Sequence, residues 1–353
     1  MLHNNDNEPT LLLSIIMPVF NHPDDVALMI DCILANDFSQ WEMILVDDGS
    51  DPSTLDMLHG FAAADSRIRV IRRDRLPKGA QTCRNIGLGE ARGEYCVFFD
   101  SDDYVAPYCL GQRVGQMRCH TDLDFMVFPS GVFVDGRFLT GGHPYAFGYR
   151  LGHGDVEMFA RRRLPFIVWN NIYRTGALRS HRLSWDERLL SLQDADFNMQ
   201  AIVAGLRYGY ATTGARPDYG YRIVNTSSIS KKISTDRHVE SHVYANERMY
   251  EMVQAVAGHK LDGALYDGTM SIYNANMTGA GINRRLADML AASLTRRHSV
   301  YARLLRAQIW LTTVLERVLP RKVARQIPVV SYLVRKAVWQ KRKARLINAI
   351  AGK

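Results

Sequence analysis

Apolar positions in the first hundred residues come in short continuous blocks, not in alternation. Leu11-Leu-Leu-Ser-Ile-Ile-Met-Pro-Val-Phe20, Trp41-Glu-Met-Ile-Leu-Val46, Arg67-Ile-Arg-Val-Ile71 and Tyr95-Cys-Val-Phe-Phe99 have strand length and the β-branched or aromatic content of strands buried on both faces. Between them Val26, Leu28, Met29, Cys32 and Ile33 recur at helical spacing, which predicts a helix over 25–36 with Asp24 or Asp25 at its start. Further helices are predicted over 53–64, with Pro52 suited to the first turn, and over 80–90. Strands alternating with helices of this length predict a parallel sheet with right-handed crossovers. Pro18 has no N–H to give and is expected to end the ladder of the first strand.

Polar residues then gather at the carboxyl ends of three of these strands: Pro18 to Asn21, Asp47 to Asp51 and Asp100 to Asp103. In open α/β sheets those ends form the ligand crevice. Asp100-Ser-Asp-Asp103 puts three acids in four positions directly after a buried strand. It reads either as a solvated acidic turn or as a cation site, since Mg²⁺ and Mn²⁺ take one or two carboxylates plus substrate phosphates. Asp100 and Asp102 can lean toward one ion if the backbone turns between them. An EF-hand is excluded, because Val105 stands where the loop needs Gly and Gly111 where it needs Glu. No G-x-G-x-x-G or G-x-x-x-x-G-K-[ST] occurs, so a bound nucleotide diphosphate would need a metal to neutralise it.

The rest of the chain changes character. Residues 125–128 and 132–134 are strand-like, 166–174 mixes apolar and polar positions, and a helix opens near Leu189 and runs through Val203. Leu304, Leu305, Ile309, Leu311, Leu315 and Leu319 predict a basic amphipathic helix, with Pro320 and Pro328 as breaks. The net charge of +8 is concentrated at this end, where residues 296–353 hold fifteen Lys or Arg against one acid, Glu316. Either 303–353 lies against an anionic membrane surface or it packs on the core with its charges solvated. Nucleic acid is disfavoured, as no binding motif accompanies the charge. Five cysteines without a C-x-x-C pair read as reduced thiols. A polar, acidic start and the lack of a long apolar run predict a cytoplasmic protein, with the basic end offering a peripheral contact to the inner face of the plasma membrane.

Four ordered segments carry a resemblance. Ser14-Ile-Ile-Met-Pro-Val-Phe-Asn21, Val46-Asp-Asp-Gly-Ser50, Cys83-Arg-Asn85 with Ala91-Arg-Gly-Glu-Tyr95, and Phe99-Asp-Ser-Asp-Asp103 resemble the motifs of family 2 glycosyltransferases, inverting metal-dependent enzymes of the GT-A fold. The resemblance covers about residues 11–225. It implies an α/β GT-A catalytic domain over 1–225, with a donor half at about 11–103 and an acceptor half at about 104–225, followed by a helical, basic region over 226–353. It implies that Phe20 stacks on the nucleotide base, that Asp48 accepts from the base edge and Asp47 shapes that pocket, and that Pro18, Asn21 and Ser101 complete it. One of Asp47 and Asp48 is expected only to cap the following helix. Arg84 is placed near the diphosphate, Asp100 at the ribose or the metal-bound phosphate, and Asp102 on Mn²⁺ or Mg²⁺. Asp103 is read as a supporting or capping acid. Trp169 is read as acceptor wall or core, with Asn170 beside it, and Arg222 and Ser228 as phosphate contacts or plain loop.

The family's Glu-Asp pair before an aromatic corresponds here to Gln193, Asp194 and Phe197, making Asp194 the expected catalytic base and Asp196 its competitor. The Gln193 departure leaves open how the base is tuned. The Q-x-x-R-W motif of processive synthases is absent, which implies one sugar per encounter. The expected reaction is transfer from a UDP-sugar to a hydroxyl of a surface glycan or lipid-linked acceptor. A sugar-nucleotide nucleotidyltransferase is the rival enzyme class, though its Gly-rich N-terminal loop is not visible. A non-catalytic glycan- or membrane-binding scaffold is the rival outside catalysis.

Overall fold

The apolar blocks become strands close to where the pattern puts them. The computed structural model describes residues 11–211, 214–223, 235–279 and 284–350. Its first half runs β1 (Leu13–Val19), α1 (Pro23–Leu34), β2 (Trp41–Asp47), α2 (Pro52–Ala64), β3 (Ile68–Arg72), α3 (Ala80–Glu90) and β4 (Tyr95–Phe98). Then follow β5 (Tyr104–Val105), α4 (Cys109–Cys119), β6 (Phe125–Val127), β7 (Ser130–Val134), β8 (Arg137–Leu139), α5 (Asp155–Ala160), β9 (Asn171–Arg174), α6 (Thr175–Ser180), α7 (Gln193–Val203), β10 (Tyr208–Tyr210) and β11 (Tyr219–Arg222). Five helices close the chain: α8 (Asp236–Ala257), α9 (Asp262–Gly279), α10 (Arg284–Arg297), α11 (Ser299–Val318) and α12 (Arg321–Ile350).

The main sheet has the order β10-β6-β9-β4-β1-β2-β3. The chain leaves β1 toward β2 and β3, then returns to place β4 on the other side. That reversal opens a crevice at the carboxyl ends of β1 and β4. The sheet is parallel except for β9, which runs antiparallel to both β4 and β6. A second sheet, β5-β11-β7-β8, lies outside the sequence-based expectation. Of its strands only β7 (5 residues) coincides with a segment that reads as strand-like, 132–134; β5, β8 and β11, of two to four residues, are too short for periodicity to reveal.

Pro18 does not end its strand. It stays in register with Val46, and pairing with β2 continues to Val19 and Asp47. On the other side β1 pairs with β4 only as far as Ile16 and Phe98. Ile16 accepts from the Phe99 N–H, so Pro18, two residues on, turns its missing donor toward the end of β4, where no bond is due. Pro328 is likewise no break, since α12 runs through it as one helix. A proline there removes one i to i−4 bond without ending the helix.

Alternate residues of β1 serve two cores. Leu13, Ile15 and Met17 face a cluster with Met29 and Ile30 of α1, Leu58 of α2 and Leu110 of α4. Ile16 joins Ile44, Val46 and Phe98 in the other cluster, which continues through Phe197 to Val239 of α8, Leu290 of α10 and Leu305 of α11. The C-terminal helices thus share a core with the sheet that carries the crevice. No helix among the described residues is long and apolar enough to cross a membrane.

Candidate functional site

The crevice floor is the turn after β1. Asn21 and His22 both take left-handed backbone, at φ 54 and 55. Such strain in consecutive non-glycine residues is characteristic of functional turns. It is held by the Asn21 side chain, which accepts from the Asp51 N–H at 3.0 Å, and by the Ser50 hydroxyl, which accepts from the Asn21 N–H at 2.9 Å. α1 begins at Pro23 behind this turn, so Asp24 and Asp25 lie in its first turn instead of capping it. Phe20 is no core residue: it is 42% exposed, with the Lys78 ammonium 3.5 Å from its ring centroid.

At the end of β2 the two acids do different work. Asp47 is fully buried and accepts from the Gly49 and Ser50 N–H groups, shaping the turn. Asp48 accepts from Arg73 at 2.5 Å and from the Gly79 N–H at 3.2 Å. Neither caps α2. That role falls to Asp51, which accepts from the Thr54 N–H at 2.9 Å.

The acids after β4 divide the same way. Asp103 is buried, with one oxygen accepting from the Tyr219 hydroxyl at 2.8 Å and the other from the Arg222 N–H at 2.7 Å. It ties the second sheet to the strand end and caps no helix. Asp100 pairs with Arg84 at 2.5 Å, and Ser101 is partly buried between the acids. Asp102 reaches solvent and makes no ion pair among the described residues. Crowding by protein, together with the Asp100 charge, pushes its carboxyl up to about 6. No cluster of three or more metal-ligating side chains forms among the described residues. Two neighbouring carboxylates, one of them unpaired and facing solvent, still suit a hard divalent ion that takes its other ligands from a diphosphate and water.

Arg84 is the hinge of the site. It projects from α3, which approaches β1 so closely that a Cβ on Gly87 would lie 2.4 Å from the Ile16 side chain. The guanidinium is 4.4 Å from the Trp185 ring centroid, one nitrogen pairs with Asp100, and its other two nitrogens are buried without a partner among the described residues. Asp194, in the first turn of α7, lies near enough to feel the charges of both Arg84 and Asp100. Burial raises the Asp194 carboxyl, Arg84 opposes that shift and Asp100 adds to it, and the balance lies at about 6. The residue before this turn, Leu192, is left-handed at φ 64. Phe197, one helical turn on, stacks on Trp185 at 4.6 Å and meets Phe98 of β4 at 5.5 Å, so α7 is seated directly on the strand that carries the acids.

Asp196 is engaged by partners of its own. It is buried, accepts from Arg248 of α8 at 2.5 Å and from Gln200 at 2.6 Å. Gln193 accepts from the Gln81 amide, which also donates to the Leu189 carbonyl. Gln81 was missed by sequence reasoning, although it stands three residues before Arg84 on the same helix face. Lys78, Arg73 and Tyr219 were missed as well, because no motif marks them.

The acceptor-side expectations fare differently. Trp169 is 4% exposed and stacks on Tyr219 at 4.6 Å, within the core. Its carbonyl is held by Arg113, which forms a fully buried pair with Asp218. Asn170 is fully buried: its oxygen accepts from the Ile167 N–H and its amide donates to the Phe128 carbonyl, both at 2.8 Å. Both residues therefore form framework behind the crevice and present no free group to an acceptor. Arg222 comes close to Asp102 but pairs with Asp25. Ser228 lies outside the described residues.

The sequence model of the family described as "Glycosyl transferase family 2" matches residues 14–190. The putative glycosyltransferase EpsH of Bacillus subtilis (strain 168) is 25% identical over 63% of this chain and 64% of its own length. The uncharacterized glycosyltransferase EpsJ of the same strain is 27% identical over 72% and 74%. The poly(ribitol-phosphate) beta-N-acetylglucosaminyltransferase TarS of Staphylococcus aureus (strain Mu50 / ATCC 700699) is 24% identical over 78% of this chain, which spans only 43% of TarS. The crystal structure of S. aureus TarS 1–349 with UDP superposes with a TM-score of 0.64, at 17% identity over 91% of both chains, and so shares the fold.

Proposed function

The chain belongs to glycosyl transferase family 2, and from that premise we propose that it moves one sugar per encounter from a UDP-sugar to a hydroxyl of a glycan or lipid-linked acceptor, with inversion, in synthesis of a bacterial surface polysaccharide. The observation that carries the reading is Arg84, a buried guanidinium paired with Asp100, with Asp194 close enough to feel both charges. The arrangement joins a donor-side acid at a strand end to a second acid at a helix start. A carboxylate there takes the proton from an acceptor hydroxyl as its oxygen forms the bond to the anomeric carbon. The bond from that carbon to the diphosphate breaks at the same time, and the diphosphate leaves with the electron pair. Arg84, with nitrogens to spare, offers donors to the departing oxygens. Asp102 and Asp100 would hold Mn²⁺ or Mg²⁺, whose charge offsets that of the diphosphate. Phe20, exposed beside the strained turn, supplies a ring for the base. Support for uridine as the base comes from the shared fold, which in TarS holds UDP and UDP-GlcNAc.

Donor hydrolysis across UDP-, GDP- and dTDP-sugars, with Mn²⁺ or with EDTA, tests the reaction class. Slow hydrolysis of a UDP-sugar is expected, and EDTA or Asp102→Ala should lower it by about 10²-fold or more. Failure of any nucleotide to bind with metal present would sink the proposal.

The membrane contact is carried by α11. Val300, Leu304, Leu311 and Val318 are exposed on one stripe, beside Trp310 and the exposed Arg303, Arg306 and Arg317. An anionic surface attracts such a face by about 1 kcal/mol per basic residue. Co-sedimentation with phosphatidylglycerol vesicles should fall sharply in Trp310→Ser/Leu311→Ser. Unchanged sedimentation would remove α11 from the contact.

A further inference from the structure

A cavity of about 260 Å³ lies between the loop that leads to α5, the turn that follows α5, and helices α9 and α12. Arg161, Arg162, Arg163, Arg335, Lys336 and Lys343 line it, with one acid, Asp267. Asp267 is taken by Arg161. The transfer chemistry uses none of these cations.

Lys343 and the guanidinium of Arg162 are withdrawn from solvent, while Arg335 and Lys336 are exposed. Lys343 is only 4% exposed, donates to the Pro144 carbonyl at 2.9 Å and lies 3.6 Å from the Phe147 ring centroid. All three guanidinium nitrogens of Arg162 are buried without a hydrogen-bond partner among the described residues. The acid whose charge Arg162 feels, Asp196, is engaged by Arg248. Arg162 also holds the left-handed position that closes α5, at φ 57, where glycine fits at least cost. The matching position after α7, with the same pair of backbone bonds, is Gly205. Burial pushes Arg162 down to about 10 and Lys343 down to about 7. Buried cations in this state are stabilised strongly by a counter-ion.

We propose that the cavity binds the phosphate-bearing part of the acceptor, a diphosphate or phosphodiester, with Arg163, Lys336 and Lys343 around the oxyanion and Trp339 against the adjoining sugar or chain. The volume suits this, since each water in the liquid takes roughly 30 Å³ and the space therefore equals that of several waters. The place suits it too. Phe147 in the cavity wall meets Trp169 at 5.9 Å, Trp169 stacks on Tyr219, and the Tyr219 hydroxyl donates to Asp103. Tyr145, also in the wall, meets Tyr221 at 6.1 Å. The inference rests on the transfer reading only in naming the ligand an acceptor; the oxyanion site stands without it.

Calorimetric titration of the full chain with inorganic pyrophosphate tests it, in EDTA, where no divalent ion can bridge a diphosphate to Asp100 and Asp102. Saturable binding is expected, weakened about tenfold or more in Arg163→Gln/Lys336→Gln. The Arg163→Gln/Lys336→Gln pair leaves the buried Arg162 in place, and its UDP affinity with Mn²⁺ reports whether it is folded. No saturable binding by the wild type, or equal binding by the folded double variant, overturns the proposal. Loss of wild-type UDP binding with pyrophosphate binding intact would instead count against the transfer reading. Phosphatidylglycerol vesicle binding that fails in the double variant assigns the oxyanion to a lipid headgroup. Vesicle binding retained while pyrophosphate binding is lost assigns it to a glycan phosphate.

Discussion

The acids after β4 and the acids that open α7 are far apart in sequence and built on one plan. In each, one carboxylate is buried and fully engaged: Asp103 by Tyr219 and the Arg222 backbone, Asp196 by Arg248 and Gln200. In each, another carboxylate is left without an ion pair among the described residues and sits at about 6: Asp102 and Asp194. Residue type is the same at all four positions, so the partner decides the role. Burial raises the Asp103 carboxyl as well, so proton affinity alone does not separate the two kinds; the engaged acids order the backbone, whereas Asp102 and Asp194, without an ion pair among the described residues, can exchange a proton or take a cation.

The largest test of this contrast is Asp194→Asn. Its transfer rate is expected to fall by roughly 10²–10⁴-fold, while UDP affinity measured by calorimetry stays near the wild-type value. Loss of nucleotide binding along with rate would mean that Asp194 serves the donor and not the acceptor hydroxyl.

A smaller effect is the pH dependence. Asp194 must be ionised to act as base, so transfer should rise about tenfold per pH unit toward pH 6 and level off above it. Stability moves the other way. The folded-state value lies above the ordinary carboxylate value of about 4, so the folded chain holds the extra proton between about pH 4 and 6. This group's contribution to stability therefore declines as pH rises through that window. Asp194→Asn should unfold at a higher temperature than the wild type at pH 7.5, with the gap gone at pH 3.5. A gap of the same size at both pH values would show that burial of this carboxylate is not its source.

The smallest effect on rate is expected at Asp196→Asn. Weakening its charge-assisted bonds to Arg248 should lower stability by roughly 1.5–3 kcal/mol in urea unfolding, with transfer retained in the folded fraction. A rate loss matching that of Asp194→Asn would exchange the two roles.

Much of the carboxyl-end crevice was legible in the chain. The strand ends, Asp47, Asp48 and Asp100 to Asp103 follow from local pattern, and Phe20 is exposed at the strained turn that Asn21 opens. The acceptor side was not. Trp169 and Asn170 stand in a segment with plausible polar and aromatic content, yet one is stacked in the core and the other hydrogen-bonded to backbone. The composition of a half-apolar segment does not say which face meets the crevice when its strand is four residues long and antiparallel to both neighbours.

The sequence by itself determined the parallel α/β half, the carboxyl-end crevice, the family and the position of Asp194, because strand burial, helix starts and acid placement are read within a few residues. Only the tertiary structure decided which acids are engaged, which helix face holds Gln81 against Gln193, and that Lys343 is buried against Pro144. Those pairings join residues 52 to 199 positions apart: Gln81 to Gln193, Asp196 to Arg248, Pro144 to Lys343. Each is set by how the helices pack on the sheet, which no local pattern specifies.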